Sequence, residues 1–204
     1  LLSHACGVGE PLPEDAVRAI MLLRINTLTR GFSGISLETL SQLVNYLNLG
    51  IHPVIPSQGS VGASGDLCPL SHLAITLLGE GEVFYGGRRM PTAKALQETG
   101  LKPVSLKPKE GLALNNGTAF MAGLAALSVY DATLLLKVAD IAAALSLEAL
   151  HGVPYAFDPR THELRPHTGQ KLVAENIRTL IDKSEIIDRY KGDRVQDAYS
   201  LRCV

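Results

Sequence analysis

The longest helical segment that the sequence predicts runs from about Thr118 to Leu150, and it constrains the fold more than any other feature. The segment is rich in Ala and Gly, and it contains no charged residue before Asp131. A helix that is apolar on nearly every side must be covered on every side. At roughly 50 Å, it is also long for a monomeric domain of this size. We therefore expect a helical bundle that other chains, or further parts of the same protein, complete.

A transmembrane interpretation of this segment is disfavoured by its polar residues. An Asn-Asn-Gly sequence precedes it, and charged side chains interrupt its second half at four positions, Asp131, Lys137, Asp140 and Glu148. The whole chain has 19 basic and 20 acidic residues, a net charge of −1. This balance gives no electrostatic argument for binding nucleic acid or an anionic membrane. The sequence thus predicts neither a membrane span nor a nucleic-acid partner.

The composition favours packed helices in a reducing compartment. Hydrophobic residues make up 46% of the chain and aromatic residues only 5%, which suits helices better than a β-sandwich. The three cysteines, Cys6, Cys68 and Cys203, are an odd number without a Cys-x-x-Cys pair. This argues against a disulfide framework or a cysteine zinc site and suits a cytoplasmic protein. Because the chain begins with Leu and ends without a stop signal, we expect an internal fragment of a longer protein.

The remaining elements are expected to be short, and the fold class is mainly α with a small irregular or hairpin β region. Helices are predicted over residues 13–30, 36–47, 69–78, 92–100 and 170–182. Gly86-Gly87 predicts a hairpin between Val83–Tyr85 and Arg88–Met90. Segments 101–111 and 152–169 are predicted as loops, and 184–194 as an exposed polar stretch. We expect two partial domains, residues 1–111 with the hairpin and residues 112–204 with the long helix.

A glycine-rich loop between Gly59 and Leu70 is the most distinctive short motif. Glycines recur at Gly59, Gly62 and Gly65, an acid follows at Asp66, and an apolar helix-like segment comes next. No lysine follows the glycines, so the loop is not a phosphate-binding loop of the Walker type. Asp66 stands where a nucleophile elbow needs its second glycine. The glycine spacing also differs from that of a dinucleotide-binding fingerprint.

The loop instead resembles the signature of the ammonia-lyase and aminomutase family that makes its own electrophile. Members of that family build 4-methylideneimidazol-5-one (MIO) from an Ala-Ser-Gly tripeptide, without an external cofactor. The resemblance implies that Ala63, Ser64 and Gly65 are the precursor and that Asp66 assists proton transfer. The amide nitrogen of Gly65 would attack the carbonyl carbon of Ala63, and two waters would leave, one of them taking the Ser64 hydroxyl. Glycine suits the attacking position because it has no side chain to block the approach.

A second motif resembles the same family around Asn116. Residues 110–118 resemble the Glu-Gly-Leu-Ala-Leu-x-Asn-Gly-Thr motif of the family, which implies that Asn116 lies in the active site. Polar side chains at the mouth of an apolar helix need partners, and an Asn-Gly-Thr turn also supplies capping. Three residues depart from the family pattern: Cys68 replaces a common Ala, Asn115 an aliphatic residue, and Ala119 a Gln that is frequent in histidine-specific members.

Two further segments imply substrate contacts. Gln196, Tyr199 and Arg202 recur every three residues, so that a helix would place them along one side. The resemblance implies that Arg202 binds the substrate carboxylate, which a planar guanidinium matches with two bonds. It also implies that Gln196 lines the same pocket and that Tyr199 acts there as a catalytic residue. At the start of the chain, the Ser3-His4 pair is implied to face the substrate side chain; this pair is typical of histidine lyases and occurs in some tyrosine aminomutases.

The histidines do not predict a metal site. His162 and His167 resemble the zinc-protease pattern, but the second histidine falls one residue late and Pro166 breaks the helix that would align them. His72 lies in an apolar helix and is interpreted as a core residue.

The resemblance covers nearly the whole chain, and it is strongest to the histidine ammonia-lyases. It implies a helical bundle of the ammonia-lyase type, like that of fumarase and aspartase, in a homotetramer with shared active sites. The implied reaction eliminates ammonia from L-histidine to give trans-urocanate, a step of histidine degradation. One alternative is a lyase or aminomutase with the same electrophile that acts on tyrosine or phenylalanine. Another is a helical oligomer without catalysis. Family members use an upstream tyrosine and a distant glutamate that these 204 residues lack, so we expect the isolated fragment to be inactive.

Overall fold

A computed structural model describes residues 1–203 and is mostly helical, as the composition predicts. The chain divides into two compact units, residues 1–129 and the residues from 130 onward. The division falls inside the longest helix, α6 (Ala119–Ala149). The domain boundary that we expect after residue 111 differs from this division into compact units. It stays a prediction about the domains of the complete protein.

Five helices precede α6 in the first unit, and capping residues mark both ends of α2. They are α1 (Glu14–Leu28), α2 (Leu37–Leu49), α3 (Leu67–Leu77), α4 (Thr92–Thr99) and α5 (Glu110–Asn115). Ser36 caps α2, because its Oγ accepts a hydrogen bond of 3.3 Å from the Thr39 N–H. Gly50 ends the same helix at a φ of +71°, which glycine adopts without strain.

The strands of the first unit are short and antiparallel. Two pair with each other, β1 (Val8–Pro11) and β3 (Pro56–Gln58). Three more, β2 (His52–Pro53), β4 (Glu82–Tyr85) and β5 (Arg88–Pro91), form a sheet in the order β2-β4-β5. The predicted hairpin is confirmed as β4–β5, and both turn glycines have positive φ, as a tight two-residue turn requires. Proline at position 53 is tolerated because β2 is an edge strand.

The core of the first unit lies between its helices. Ile20 of α1, Leu43 of α2 and Leu70 of α3 are fully buried in it. Gly123 of α6 approaches α1 so closely that a Cβ there would lie 3.1 Å from the Ile20 backbone nitrogen. A small residue at this position lets the two helix backbones meet.

The second unit contains more short helices than the sequence predicts. After the 3₁₀ turn Pro154–Phe157 come α7 (Pro159–Glu163), α8 (Thr168–Leu180), α9 (Glu185–Tyr190) and α10 (Tyr199–Arg202). The prediction of a loop over 152–169 is therefore wrong in part, because Pro154 and Pro159 begin helical turns and Asp158 caps α7. The stretch 184–194 is largely exposed, as predicted, and it also contains the short helix α9, which Ser184 caps and which buries Ile187.

The long helix α6 is confirmed within one residue at each end. Many of its large apolar side chains are exposed in this chain, among them Leu134, Leu135, Leu136, Val138, Ile141 and Leu145. By length and composition alone, the stretch Glu110–Ala149 is apolar enough to cross a membrane. Core helices of soluble proteins meet the same criterion, so this is weak evidence for a membrane span.

Candidate active site

The Ala-Ser-Gly tripeptide forms a tight turn directly before α3. A bridge between Val61 and Gly65 closes the turn, and the Asp66 N–H donates a 2.7 Å hydrogen bond to the Ser64 carbonyl. Ala63 is exposed, Ser64 is half-buried and Gly65 is buried. Gly65 has a φ of +67°, in the left-handed region that glycine enters most readily. The backbone here is thus sharply folded at the residue that has no side chain.

Asp66 ties this turn to the beginning of α6. Its carboxylate is fully buried, and Oδ2 accepts hydrogen bonds from the Phe120 N–H at 3.0 Å and the Met121 N–H at 3.2 Å. These two amides have no acceptor within their own helix, and they lie at its positive end, where a carboxylate is favourable. Burial raises the pKa of Asp66, and the two amides and the Arg24 guanidinium oppose that rise. Among the described residues, Oδ1 has no hydrogen-bond partner.

Arg24 is a member of this cluster that the sequence analysis missed. It is buried on α1, and its Nη2 donates to the Ala113 carbonyl and, at 2.9 Å, to the Asn116 carbonyl. Burial lowers the pKa of the guanidinium, and the Asp66 charge opposes that shift. A side chain at Gly117 would overlap the guanidinium.

The sequence contained a signal for Arg24. The residue falls among Val17, Ile20, Met21 and Leu28 at helical spacing, and these four residues are buried. A charge on the buried stripe of a helix needs partners.

The two asparagines at the end of α5 have different environments. Asn116 follows the helix with an exposed side chain, while its backbone carbonyl bonds Arg24. Asn115 is buried, and its Nδ2 donates a 3.1 Å hydrogen bond to Ser71 Oγ on α3. Asn115, which departs from the family pattern, therefore has a hydrogen-bond partner on α3. Its Oδ1 has none among the described residues.

Glu110, at the start of α5, holds this motif against α2. It is buried, and its carboxylate accepts hydrogen bonds from the Ser36 N–H, the Lys107 N–H and the Thr39 hydroxyl at 2.6–3.1 Å. Burial acts to raise its pKa, but these hydrogen bonds outweigh burial and lower the pKa to about 2.

Ser3 and His4 lie in a 3₁₀ turn, Leu2–His4, that packs against α3. Both side chains are exposed, and Ser3 Oγ lies 3.3 Å from His4 Nδ1. The first unit therefore brings the tripeptide, Asp66 and the Asn116 backbone into one network, with the Ser3-His4 turn on the helix that follows the tripeptide.

The other predicted residues lie in the second unit, and their helix is shorter than predicted. The helix α10 begins at Tyr199, so Gln196 lies outside it, because Ala198 is extended and the Asp197 carboxylate bonds the Val153 N–H. The Arg202 guanidinium lies 4.3 Å from the centre of the Tyr199 ring, and Arg202 Nε donates to the Asp197 carbonyl at 3.0 Å.

Gln196 and Arg202 nevertheless share a small cavity of about 190 Å³ within this unit. Arg202 also lines a neighbouring cavity of about 500 Å³, together with His162 and Gln170.

The side chains of His162 and His72 have protein partners. His162 Nε2 lies 3.0 Å from the Ala156 carbonyl, and Gln170 Nε2 lies 2.8 Å from His162 Nδ1. His72 Nε2 accepts a 3.0 Å hydrogen bond from the Gly7 N–H. Residues 1–203 contain no group of three His, Cys, Asp or Glu side chains that could hold a metal ion.

Comparison with known proteins places this arrangement in a family. The family model for aromatic amino acid lyases matches residues 1–204. The histidine ammonia-lyases of Alkaliphilus oremlandii and Symbiobacterium thermophilum are 56% and 54% identical to the whole chain, which spans 40% of the length of each.

Solved structures agree with the family match. The chain superposes on histidine ammonia-lyase from Trypanosoma cruzi with a TM-score of 0.85 at 41% identity, covering 99% of this chain and 37% of that one. It superposes on tyrosine aminomutase from Streptomyces globisporus with a TM-score of 0.89 at 42% identity, covering 99% and 42%. The fold therefore does not separate histidine-specific from tyrosine-specific relatives. The chain belongs to the aromatic amino acid lyase family.

Proposed function

We propose that the full-length protein is a carbon–nitrogen lyase that eliminates ammonia from L-histidine and releases trans-urocanate. The observation that carries the proposal is the Ala63-Ser64-Gly65 turn, whose following residue, Asp66, is buried at the N-terminus of α6. The turn thus stands beside the N-terminal ends of two helices, α3 and α6. Helix N-termini favour negative charge, and a reaction that moves electron density toward the turn would benefit from them.

The residues at the turn fit an MIO group made from the tripeptide. Gly65 has no side chain and a positive φ, and a Cβ there would lie 3.3 Å from Ser60 Oγ. Asp66 Oδ1 is a buried acceptor without a partner among the described residues, and it lies in the residue next to the tripeptide. We propose that this oxygen accepts a proton during maturation of the turn. Once formed, the MIO group supplies an electrophile that takes up electron density from the amino acid.

The chain's own polar residues would bind and orient the substrate. We propose that Arg202 presents its two Nη groups to the substrate carboxylate, since its Nε is already bonded to the Asp197 carbonyl. A cation–π contact with the Tyr199 ring supports the guanidinium from one side, and Gln196 shares the cavity of about 190 Å³ with Arg202. We further propose that Tyr199 and Asn116 act at the reacting end of the substrate, and that Ser3 and His4 contact the substrate's side chain.

Histidine is the proposed substrate because the relatives at 50–56% identity over the whole chain are histidine ammonia-lyases. The Ser3-His4 pair agrees with that choice. A tyrosine or phenylalanine lyase or aminomutase is the second candidate. A tyrosine aminomutase and a phenylalanine aminomutase each superpose with a TM-score of 0.89, compared with 0.85 for the histidine ammonia-lyase.

The substrate proposal is tested by incubating the full-length protein with L-histidine, L-tyrosine and L-phenylalanine separately. We expect urocanate from histidine, detected by its ultraviolet absorbance and by mass. Coumarate, cinnamate or a β-amino acid without urocanate would contradict the histidine proposal and support the second candidate. No product from any of the three, in a folded protein with an unmodified tripeptide, would favour the non-catalytic oligomer.

We also propose that the full-length protein is a cytoplasmic homotetramer with shared active sites. The exposed apolar side chains of α6 are a surface that subunit association would cover. The cysteines of the described chain are unpaired, which suits a reducing compartment. Size-exclusion chromatography with light scattering tests the tetramer, and a monomeric full-length protein would contradict it.

A further inference from the structure

Cys6 and Cys68 lie next to each other although 61 residues separate them in the sequence. Cys68 is buried in the first turn of α3, whereas Cys6 is exposed. The Cys6 thiol and the backbone of Cys6 and Gly7 lie near the Cys68 thiol, since they are among the groups that shift its pKa. A Cβ at Gly59 would lie 2.7 Å from Cys68 Sγ and 3.2 Å from Gly7 Cα, so three segments meet closely at this point.

The two thiols differ in accessibility. Burial raises the pKa of the Cys68 thiol, while the amide groups of Cys6 and Gly7 act in the opposite direction. Cys68 is therefore the less accessible and the less acidic thiol of the pair. Cys6 is the member of the pair that a reagent in solution reaches first.

Metal binding does not explain the pair. Two thiolates need further ligands to hold a zinc ion, and residues 1–203 offer no group of three ligating side chains. His72, one turn after Cys68, already accepts a hydrogen bond from the Gly7 N–H through Nε2. The proximity of the two sulfurs instead suits a covalent bond between them.

We propose that Cys6 and Cys68 form a reversible disulfide by exchange with a low-molecular-weight disulfide of the glutathione type. The Cys6 thiolate attacks one sulfur of that disulfide, which breaks its S–S bond and releases one small thiol. The Cys68 thiol then loses its proton and attacks Cys6 Sγ in the mixed disulfide, releasing the second small thiol. The two protein thiols are oxidised, and the small disulfide is reduced to two thiols.

The bond would join two segments that flank the proposed active site. Cys6 comes two residues after the Ser3-His4 turn, and Cys68 comes two residues after Asp66. The disulfide would fix the segment that carries Ser3 and His4 to the helix that follows the tripeptide. Formation of the bond itself does not depend on the lyase activity.

The test treats the reduced full-length protein with oxidised glutathione, blocks free thiols with an alkylating reagent, and maps the peptides by mass spectrometry. We expect a peptide pair joined by a Cys6–Cys68 disulfide, which dithiothreitol reduces. The exposed Cys203 is an internal reference, and we expect no disulfide between it and either Cys6 or Cys68. Cys6 that keeps a glutathione adduct while Cys68 remains alkylatable after denaturation would overturn the proposal. So would both thiols remaining free, or a bridge from either one to Cys203.

Two single variants give the matched controls. In Cys68→Ala, the glutathione adduct should accumulate on Cys6 because no second thiol resolves it. In Cys6→Ala, Cys68 should stay a free thiol because it is buried. The rate of adduct formation on Cys68 in the Cys6→Ala variant is compared with the rate on Cys6 in the Cys68→Ala variant. Equal rates would contradict the proposed order, in which Cys6 attacks first. None of these measurements uses enzyme activity, so they can fail or succeed independently of the proposed function.

Discussion

The region around the tripeptide and the region around Arg202 are held in place in different ways. In the first unit, Asp66, Arg24 and Asn115 are buried, and their hydrogen bonds join residues 44 to 92 positions apart in the sequence. In the second unit, Tyr199 is exposed and Arg202 half-buried, and the Arg202 hydrogen bond reaches only five residues back. The part proposed to make the electrophile is thus fixed by distant contacts within one unit. The Arg202 side chain, which is proposed to bind the carboxylate, is held by a short-range bond to Asp197, and Asp197 is itself bonded to Val153, 44 residues away.

The largest expected effect is that of Ser64→Ala in the full-length protein. Without the hydroxyl, the second water cannot leave, so we expect the rate of ammonia release to fall by roughly a thousand-fold or more. The matched control is Ser60→Ala, an exposed serine in the same loop, which should keep most of the activity. Equal losses in the two variants would show that the loop responds to any change and would remove the special role of Ser64.

The second region is tested by Arg202→Lys. A lysine loses the planar fork and the stacking on Tyr199, so we expect KM for the amino acid to rise by about 10- to 100-fold with a smaller change in kcat. Steady-state kinetics measure both values. Arg189→Lys, an exposed residue on α9, is the control and should leave KM unchanged. An unchanged KM in Arg202→Lys would rule out the carboxylate contact.

The rigidity of the first region is tested by Gly117→Ala. The added methyl group would overlap the Arg24 guanidinium and disturb its bonds to the Ala113 and Asn116 carbonyls. We expect the free energy of unfolding, measured with urea, to fall by about 3 kcal/mol. Gly169→Ala is the control, because nothing lies within 4 Å of a Cβ there, and it should change stability by no more than about 0.5 kcal/mol. Similar values for the two variants would contradict the packing described around Arg24.

A smaller effect is expected from Glu110→Gln, which also tests a pH dependence. The folded pKa of Glu110 is lowered to about 2 from an ordinary 4.5, so its stabilising contribution is complete above the ordinary value and is lost as the pH falls toward 2. Replacing the carboxylate should cost about 1–2 kcal/mol at neutral pH, because a buried N–H loses its acceptor. It should also flatten the fall in stability between pH 4.5 and 2. Parallel pH profiles for the variant and the unaltered protein would count against this account of Glu110.

The sequence predicts the local features of the fold well. Ser36 and Gly50 mark both ends of α2, and Gly86-Gly87 marks the hairpin, because capping and turn preferences act within a few residues. The long helix is recognisable because its first half, rich in Ala and Gly, contains no charged residue before Asp131. The short helices after Pro154 and Pro159 are harder to predict, since one turn of helix depends on the packing around it.

The candidate site is predictable in its residues and not in its connections. The tripeptide and Asn116 stand in recognisable motifs, but the bond from Asp66 to the start of α6 joins segments 54 residues apart, and no local pattern encodes such a pairing. For Gln196, the local pattern predicts a helix that the structure does not contain. Its spacing to Tyr199 suggests one helix, and the bond between the Asp197 carboxylate and the Val153 N–H holds the chain extended there instead.

The central claim is that Ala63, Ser64 and Gly65 are converted into an electrophile, and peptide mass spectrometry tests it most directly. The folded full-length protein is digested, and the peptide that contains the three residues is weighed together with the same peptide from Ser64→Ala. We predict that the first peptide is lighter than its sequence mass by two water molecules and that the second lacks the loss of the serine hydroxyl. An unmodified mass for the first peptide would contradict the account.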